Sequence, residues 1–168
     1  PEAVYKVIFT MNWTAPSFGV PVDAHFTRLI GMVHSKDSFL WCQKATVGLE
    51  FLAEVGSNGR LNNEIDSMIA RQKALERFGI NPPAVNGSID SVFRFTTEFS
   101  CFSFASMLAP SPDWFIGINR YNLLVNNQWV NDRSVDLFVY DAGTEEGDVF
   151  GYMNLPSIPQ QNISKLNS

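Results

Sequence analysis

Two short stretches of this chain gather carboxylates where a chain turns. In "SMLAPSPDWFIGI" (Ser106–Ile118), Pro110 and Pro112 bracket Ser111, and Asp113 follows at once, ahead of a new apolar run. Proline fixes its own φ and donates no hydrogen bond, so it ends a strand and stiffens the turn that follows. In "YDAGTEEGD", Asp141, Glu145, Glu146 and Asp148 fall within eight residues. Gly143 and Gly147 let that loop fold tightly enough for backbone carbonyls to turn inward. Hard cations such as calcium take six to eight oxygens from carboxylates, carbonyls and water, and two loops at one end of a β-sandwich can supply them. Spacing alone is far less specific than an EF-hand loop, and acidic loop residues are commonly just solvated.

Other chemistry is less well served. His25 and His34 are nine residues apart, with no cysteine or acid at ligand spacing, and read as structural. No nucleophile elbow, paired-carboxylate signature or acid–histidine partnership accompanies the acidic residues, so a hydrolase is not expected. Cys42 and Cys101 permit one disulfide, but their apolar neighbours fit buried free thiols equally well. Three N-x-S/T sequons, at Asn12, Asn86 and Asn162, give secretion and glycosylation only weak support.

The elements that must position the two acidic stretches can be read from hydrophobic period. "YKVIFTMNW" (Tyr5–Trp13) alternates, with Tyr5, Val7, Phe9 and Met11 on one face, and predicts a half-buried strand. From Ala45 the period becomes helical: Leu49, Leu52 and Ala53 share a face and Gly56 is placed to cap it. A second helix is expected along Leu61, Ile65, Met68, Ile69 and Leu75, with Gly79 as its stop, and "GINPPAVNGS" as a loop after it. Ser91–Leu108 returns to alternation, but its apolar phase flips after Cys101, as a β-bulge would produce. "DWFIGI", "YNLLV", "QWV" and "SVDLFVYDAG" are further short strand candidates. The sum predicts a mainly β domain, an antiparallel sandwich with two inserted α-helices.

Composition agrees. The 168 residues are 45% apolar and 17% charged, with fourteen phenylalanines and four tryptophans, enough for one packed domain over 1–168. A net charge of −5 without a basic cluster argues against nucleic acid and acidic membrane surfaces as partners. No apolar run has membrane-spanning length. A chain that begins at Pro1 is expected to be a processed form or an excised domain.

Five segments, "FTMNW", "AHFTRLIGMVHS", "GLEFLAEVG", "APSPDWFIGI" and "LFVYDAGTEEG", occur in the order and approximate spacing of the spondin N-terminal domain. The chain resembles that family from Tyr5 to about Ile163, and the S-P-D-W-F and D-A-G-T signatures are specific. The resemblance implies a sandwich similar to a C2 domain, secreted, non-catalytic, and working in extracellular matrix adhesion or recognition with one bound Ca2+. Carried onto this sequence, the family's calcium ligands are Asp113, Asp141 and Glu145. The third position is usually aspartate; here it is glutamate, and the adjacent Glu146 is an alternative. Familiar members also continue into another strand beyond the position of Ile163. Expected partners are an extracellular protein, a glycan or a small apolar ligand, and a homo-oligomer is compatible. The apolar-ligand alternative, a carrier of lipid or a carotenoid-like pigment, would use the run from Phe93 to Phe104 with Trp13, Trp41 and Trp129.

Overall fold

A computed structural model describes residues 1–14, 19–152 and 155–166. In chain order the elements are β1 (Glu2–Asn12), β2 (His25–Phe26), β3 (Leu29–His34), α1 (Val47–Val55), α2 (Gly59–Ala70), β4 (Ala74–Ile80) and β5 (Asn86–Thr96). They continue with β6 (Cys101–Ala109), β7 (Trp114–Asn122), β8 (Leu124–Val125), β9 (Gln128–Trp129), β10 (Phe138–Asp141) and β11 (Ser164–Lys165). The strand pairs are antiparallel throughout. The main sheet runs β11-β10-β7-β6-β3-β4, with β2 also pairing β6; β1 and β5 form a separate two-stranded ribbon, and β8–β9 a small hairpin.

The main sheet is covered on both faces, which explains why β3 and β6 are buried at every position rather than alternately. One face packs on the ribbon: Phe9, Met11, Phe93 and Phe95 meet Leu29, Val33, Phe102, Phe104 and Ile116. The other face packs on the helices: Ile30, Met32, Ala105 and Phe115 meet Leu49, Leu52, Leu61 and Ile65, with Trp41. Each such side chain taken fully out of water contributes about 1.5–3 kcal/mol. Gly31 permits the close approach on the ribbon side, because a Cβ there would lie 2.4 Å from the Phe78 ring and 2.6 Å from Phe104 Cβ. The phenylalanine run is thus core: Phe78 stacks on Phe102, and Phe93 meets both rings. An apolar-ligand pocket built from that run has no structural support.

The first helix forms as its sequence predicts. Thr46 Oγ1 accepts from the Leu49 N–H at 3.2 Å, and Gly56, at φ +67°, closes the other end by donating to the Leu52 carbonyl. Glu64 of α2 also serves α1, accepting from the Gly48 N–H at 2.7 Å and the Thr46 hydroxyl at 2.6 Å.

Three expectations need correction. The second helix ends at Ala70, not at Gly79: the chain reverses through Arg71 and Gln72 (φ +57°), and Leu75 and Gly79 belong to β4. Leu75 happens to fall in phase with the helical stripe, which is why periodicity ran past the true end. Consequently the predicted loop 79–88 shrinks, since β4 reaches Ile80 and β5 begins at Asn86. The phase flip after Cys101 is not a bulge within one strand. The chain leaves the ribbon at Thr96, turns through residues 97–100, and enters the main sheet at Cys101; Thr96 N–H donates to the Phe99 carbonyl and Thr96 Oγ1 accepts from Phe99 N–H. A register irregularity does occur nearby, but β7 carries the extra residue, with Phe102 opposite Tyr121 and Phe104 opposite Ile118. Both cysteines are free, Cys101 buried and Cys42 exposed.

Candidate functional site

The Pro110–Asp113 turn links β6 to β7 and docks on the loop that leaves β10. Within the turn, Ser111 Oγ accepts from the Trp114 N–H at 3.0 Å, a local bond that fixes how Asp113 leaves the turn. Asp113 is completely buried. Its Oδ2 accepts three hydrogen bonds: from Thr144 N–H (2.7 Å), Glu145 N–H (3.0 Å) and the Thr144 hydroxyl (3.2 Å). Its backbone carbonyl accepts from Ala142 N–H at 3.1 Å. Its other carboxylate oxygen, Oδ1, is equally buried and has no partner among the described residues. Buried polar atoms are nearly always paired, and a lone carboxylate oxygen is costly to leave bare.

Asp141 closes β10 directly opposite Trp114. Its Oδ1 accepts from Gly143 N–H at 2.7 Å, and Gly143 sits at φ +73°, where a Cβ would lie 2.5 Å from the Gln161 carbonyl. Burial, and next the negative charge of Asp113, push the Asp141 carboxyl above its ordinary pKa; Gly143 and the Trp114 indole partly oppose this. The indole acts as a nearby dipole rather than a bonded donor, because among the described residues its N–H reaches no acceptor in hydrogen-bond geometry.

Glu54, near the end of α1, is the neighbour that sequence reasoning missed. Burial raises its pKa, with the charges of Glu50 and Asp113 adding to the effect and the Thr144 hydroxyl opposing it. That hydroxyl has one proton, so Asp113 and Glu54 compete for it. In the sequence Glu54 reads as an ordinary solvent-facing helical acid; only the packing of α1 over the main sheet brings it to Asp113.

The glutamate pair divides. Glu145 reaches Asp113 through its backbone N–H and bridges to Pro156. Glu146 is exposed, and its Oε1 accepts from the Ser157 hydroxyl at 2.8 Å. A shallow cleft of about 240 Å3 opens here, lined by Asp141, Glu145, Glu146, Ser157, Gln161 and Asn162 among others. Asp113 forms its floor neighbourhood through Thr144 and Glu145 rather than lining it. The turn and the loop that carry Asp113, Asp141 and Glu145 are thus brought together. Among the described residues, however, no three histidine, cysteine or acidic side chains converge as a ready-made metal cluster.

Neither histidine joins the site. His25 is exposed and bonds the Asp23 carbonyl at 2.7 Å. His34 lies buried at the other end of β6, with Nδ1 2.8 Å from the Ser35 carbonyl and Nε2 2.7 Å from Ser103 Oγ. No helix among the described residues is long and apolar enough to cross a membrane.

Comparison with known proteins gives a family match over nearly the whole chain. The Spondin_N family model matches residues 3–168. Human Spondin-2 is 30% identical over 175 residues, covering 99% of this chain and 53% of the relative. Chicken Spondin-1 is 32% identical over 177 residues, covering 99% of this chain and 22% of the relative. The chain thus spans about half the length of Spondin-2 and about a fifth of Spondin-1. A match over nearly every residue, carrying the S-P-D-W turn and the D-A-G-T loop in contact, places this chain in the spondin N-terminal domain family.

Proposed function

We propose that the chain is a secreted, non-catalytic recognition module of the extracellular matrix, in which one calcium ion ties the Pro110–Asp113 turn to the loop after β10. The observation that carries this reading is Asp113 Oδ1, a fully buried carboxylate oxygen with no partner among the described residues. A cation is the partner best suited to it, since a second carboxylate, Asp141, is close enough for the two charges to oppose each other. Asp113, Asp141 and Glu145 are the proposed ligands. Oxygens for the remaining positions are at hand in the Gln161 and Asn162 side chains and in water. Glu145 holds the place that the family resemblance gives the third ligand, and Glu146, whose carboxylate accepts from the Ser157 hydroxyl, is the alternative.

Bound there, calcium would neutralise the repulsion between the buried carboxylates and rigidify the surface formed by residues 141–152 and 155–164. Recognition of a protein or glycan would then fall to that surface. The relatives by sequence favour an extracellular setting, where calcium is plentiful enough for a modest site. The exposed sequon asparagines Asn12 and Asn86 suit the same setting as glycan acceptors.

A cation that binds only the folded form stabilises it by about 2.7 kcal/mol at a hundredfold excess over Kd. For a chain of this size that is a rise of roughly 5–10 °C in melting temperature. Thermal melts in calcium and in chelator should differ by that amount, and Asp113→Ala should erase the difference. Equal melting temperatures for the unsubstituted chain would sink the proposal.

A further inference from the structure

The β1–β5 ribbon has a feature that its role in the core does not use. Eleven residue pairs, from Glu2 opposite Thr96 to Asn12 opposite Asn86, run without a register shift. Among the described residues no other strand pairs with either member, so each presents one open edge of its backbone. Natural proteins usually protect such edges with proline, bulges or short strands; β5 is eleven residues long, regular, and contains no proline.

The outward row of β5 reads Ser88, Asp90, Val92, Arg94, Thr96, with Ser88, Asp90, Val92 and Arg94 exposed. This row is a chemical palindrome about Val92: polar, acid, apolar, base, polar. An antiparallel second copy related by a two-fold axis through Val92 sets Asp90 opposite Arg94 twice, Ser88 opposite Thr96 twice, and Val92 against itself. Opposite charges directly across a strand pair stabilise it, and like charges destabilise it. The outward row of β1 (Glu2, Val4, Lys6, Ile8, Thr10, Asn12) offers no such match about its middle, where a two-fold axis sets Lys6 opposite Ile8 and Glu2 opposite Asn12, with no opposite charges across it.

Within one copy, Arg94 lies 3.6 Å from Glu2 and Lys6 lies 3.8 Å from Asp90, and all four side chains are more than half exposed. Such pairs are weak in water, so they do not withhold Asp90 and Arg94 from a partner. Joined across the axis, they extend into two rows of alternating charge, Glu2–Arg94–Asp90–Lys6. Val92, Val4 and Ile8, exposed at 62%, 67% and 60%, lie between and beside those rows and would be partly covered.

We infer that β5 is a self-pairing edge through which two copies of this chain join, merging their ribbons into one four-stranded sheet. The contact is isologous and closes on itself, so it produces a dimer and not a filament. It lies on the ribbon and does not depend on the proposed calcium site.

Sedimentation and light scattering on the purified chain test it, in calcium and in chelator alike. A dimer is expected in both. Asp90→Arg or Arg94→Asp alone places like charges across the axis and should weaken the dimer by about tenfold or more. The double substitution Asp90→Arg/Arg94→Asp restores complementarity and should return the dimer to within about threefold of the original. Val92→Cys, made with Cys42→Ser to remove the exposed native thiol, should give a disulfide-linked dimer on mild oxidation. A chain that stays monomeric at every concentration overturns the inference, leaving the edge to solvent or to a different polypeptide. A dimer indifferent to both single reversals, or one not rescued by the double swap, overturns it equally. Circular dichroism of each variant separates loss of pairing from loss of fold.

Discussion

The two ends of β6 each bury a polar side chain completely, and they treat it in opposite ways. At the start of the strand, His34 has a partner for both ring nitrogens, and Ser103 Oγ, which faces Nε2, is also held by the Arg120 N–H at 2.8 Å. Beyond the end of the strand, Asp113 has three donors on one oxygen and none among the described residues on the other. A closed network of neutral groups specifies how a core packs and asks for nothing further. A half-satisfied carboxylate beside a second acid is different: it is the kind of place where an ion completes the structure. The same burial therefore marks one end as architecture and the other as a site.

Measurements that separate the ends range from large to small. His34→Leu should cost the most, about 3 kcal/mol, because it strips a partner from the buried Ser103 hydroxyl and from the half-buried Ser35 carbonyl. Chemical denaturation reads this loss, which should be the same in calcium and in chelator. Chelation of the unsubstituted chain comes next, at about 2.7 kcal/mol; unlike the His34 effect, it should vanish in Asp113→Ala. A calcium effect that survived Asp113→Ala, or that disappeared in His34→Leu, would erase the contrast between the ends.

One smaller, pH-dependent effect should come from the closed end. Burial, helped by the charge of Arg120 and opposed by the Ser35 carbonyl, holds the His34 pKa below its ordinary value of 6.5. The folded chain keeps His34 neutral while the unfolded chain takes up a proton, so stability is fully present above about pH 6.5 and declines as pH falls below it. Denaturation midpoints from pH 7.5 to pH 5.5 should show the decline, and His34→Gln should flatten it. Least of all should be the effect of Glu146→Gln on calcium-dependent stabilisation, because Glu146 is the alternative and not the proposed ligand; Glu145→Gln should reduce it clearly. Equal effects from the two substitutions would show that the glutamates share the role.

The legible parts of this molecule were those in which local pattern and tertiary burial agree. β1 alternates because the ribbon has one wet face, and α1 carries its own cap at Thr46 and stop at Gly56. The paired acidic stretches were visible because prolines and glycines mark their turns. What escaped depended on which sheet each residue joins. β5 and β6 looked like one strand with a slip, since residues 97–100 contain neither glycine nor proline to announce a change of sheet. The end of α2 was hidden by Leu75, apolar for β4 yet in phase with the helix. Glu54 was invisible as a neighbour of Asp113 because nothing in a helical stretch says where its exposed edge will be laid. The three acids named from the sequence do lie on segments in contact, but sequence could not say that Asp113 would bury one oxygen under backbone amides and leave the other bare.

Strand β6 is the one that joins the two ends, and every one of its nine residues is buried. It lies between β3 and β7 and is covered on both faces, so its amides can meet solvent only when the whole domain opens. Their hydrogen-exchange rates should therefore report the global unfolding equilibrium. The outward-facing amides of β5 should exchange by local opening in a separate copy and slow once two copies meet. One deuterium-uptake experiment would thus carry two independent readings, with β6 recording the stability of the fold and β5 its association.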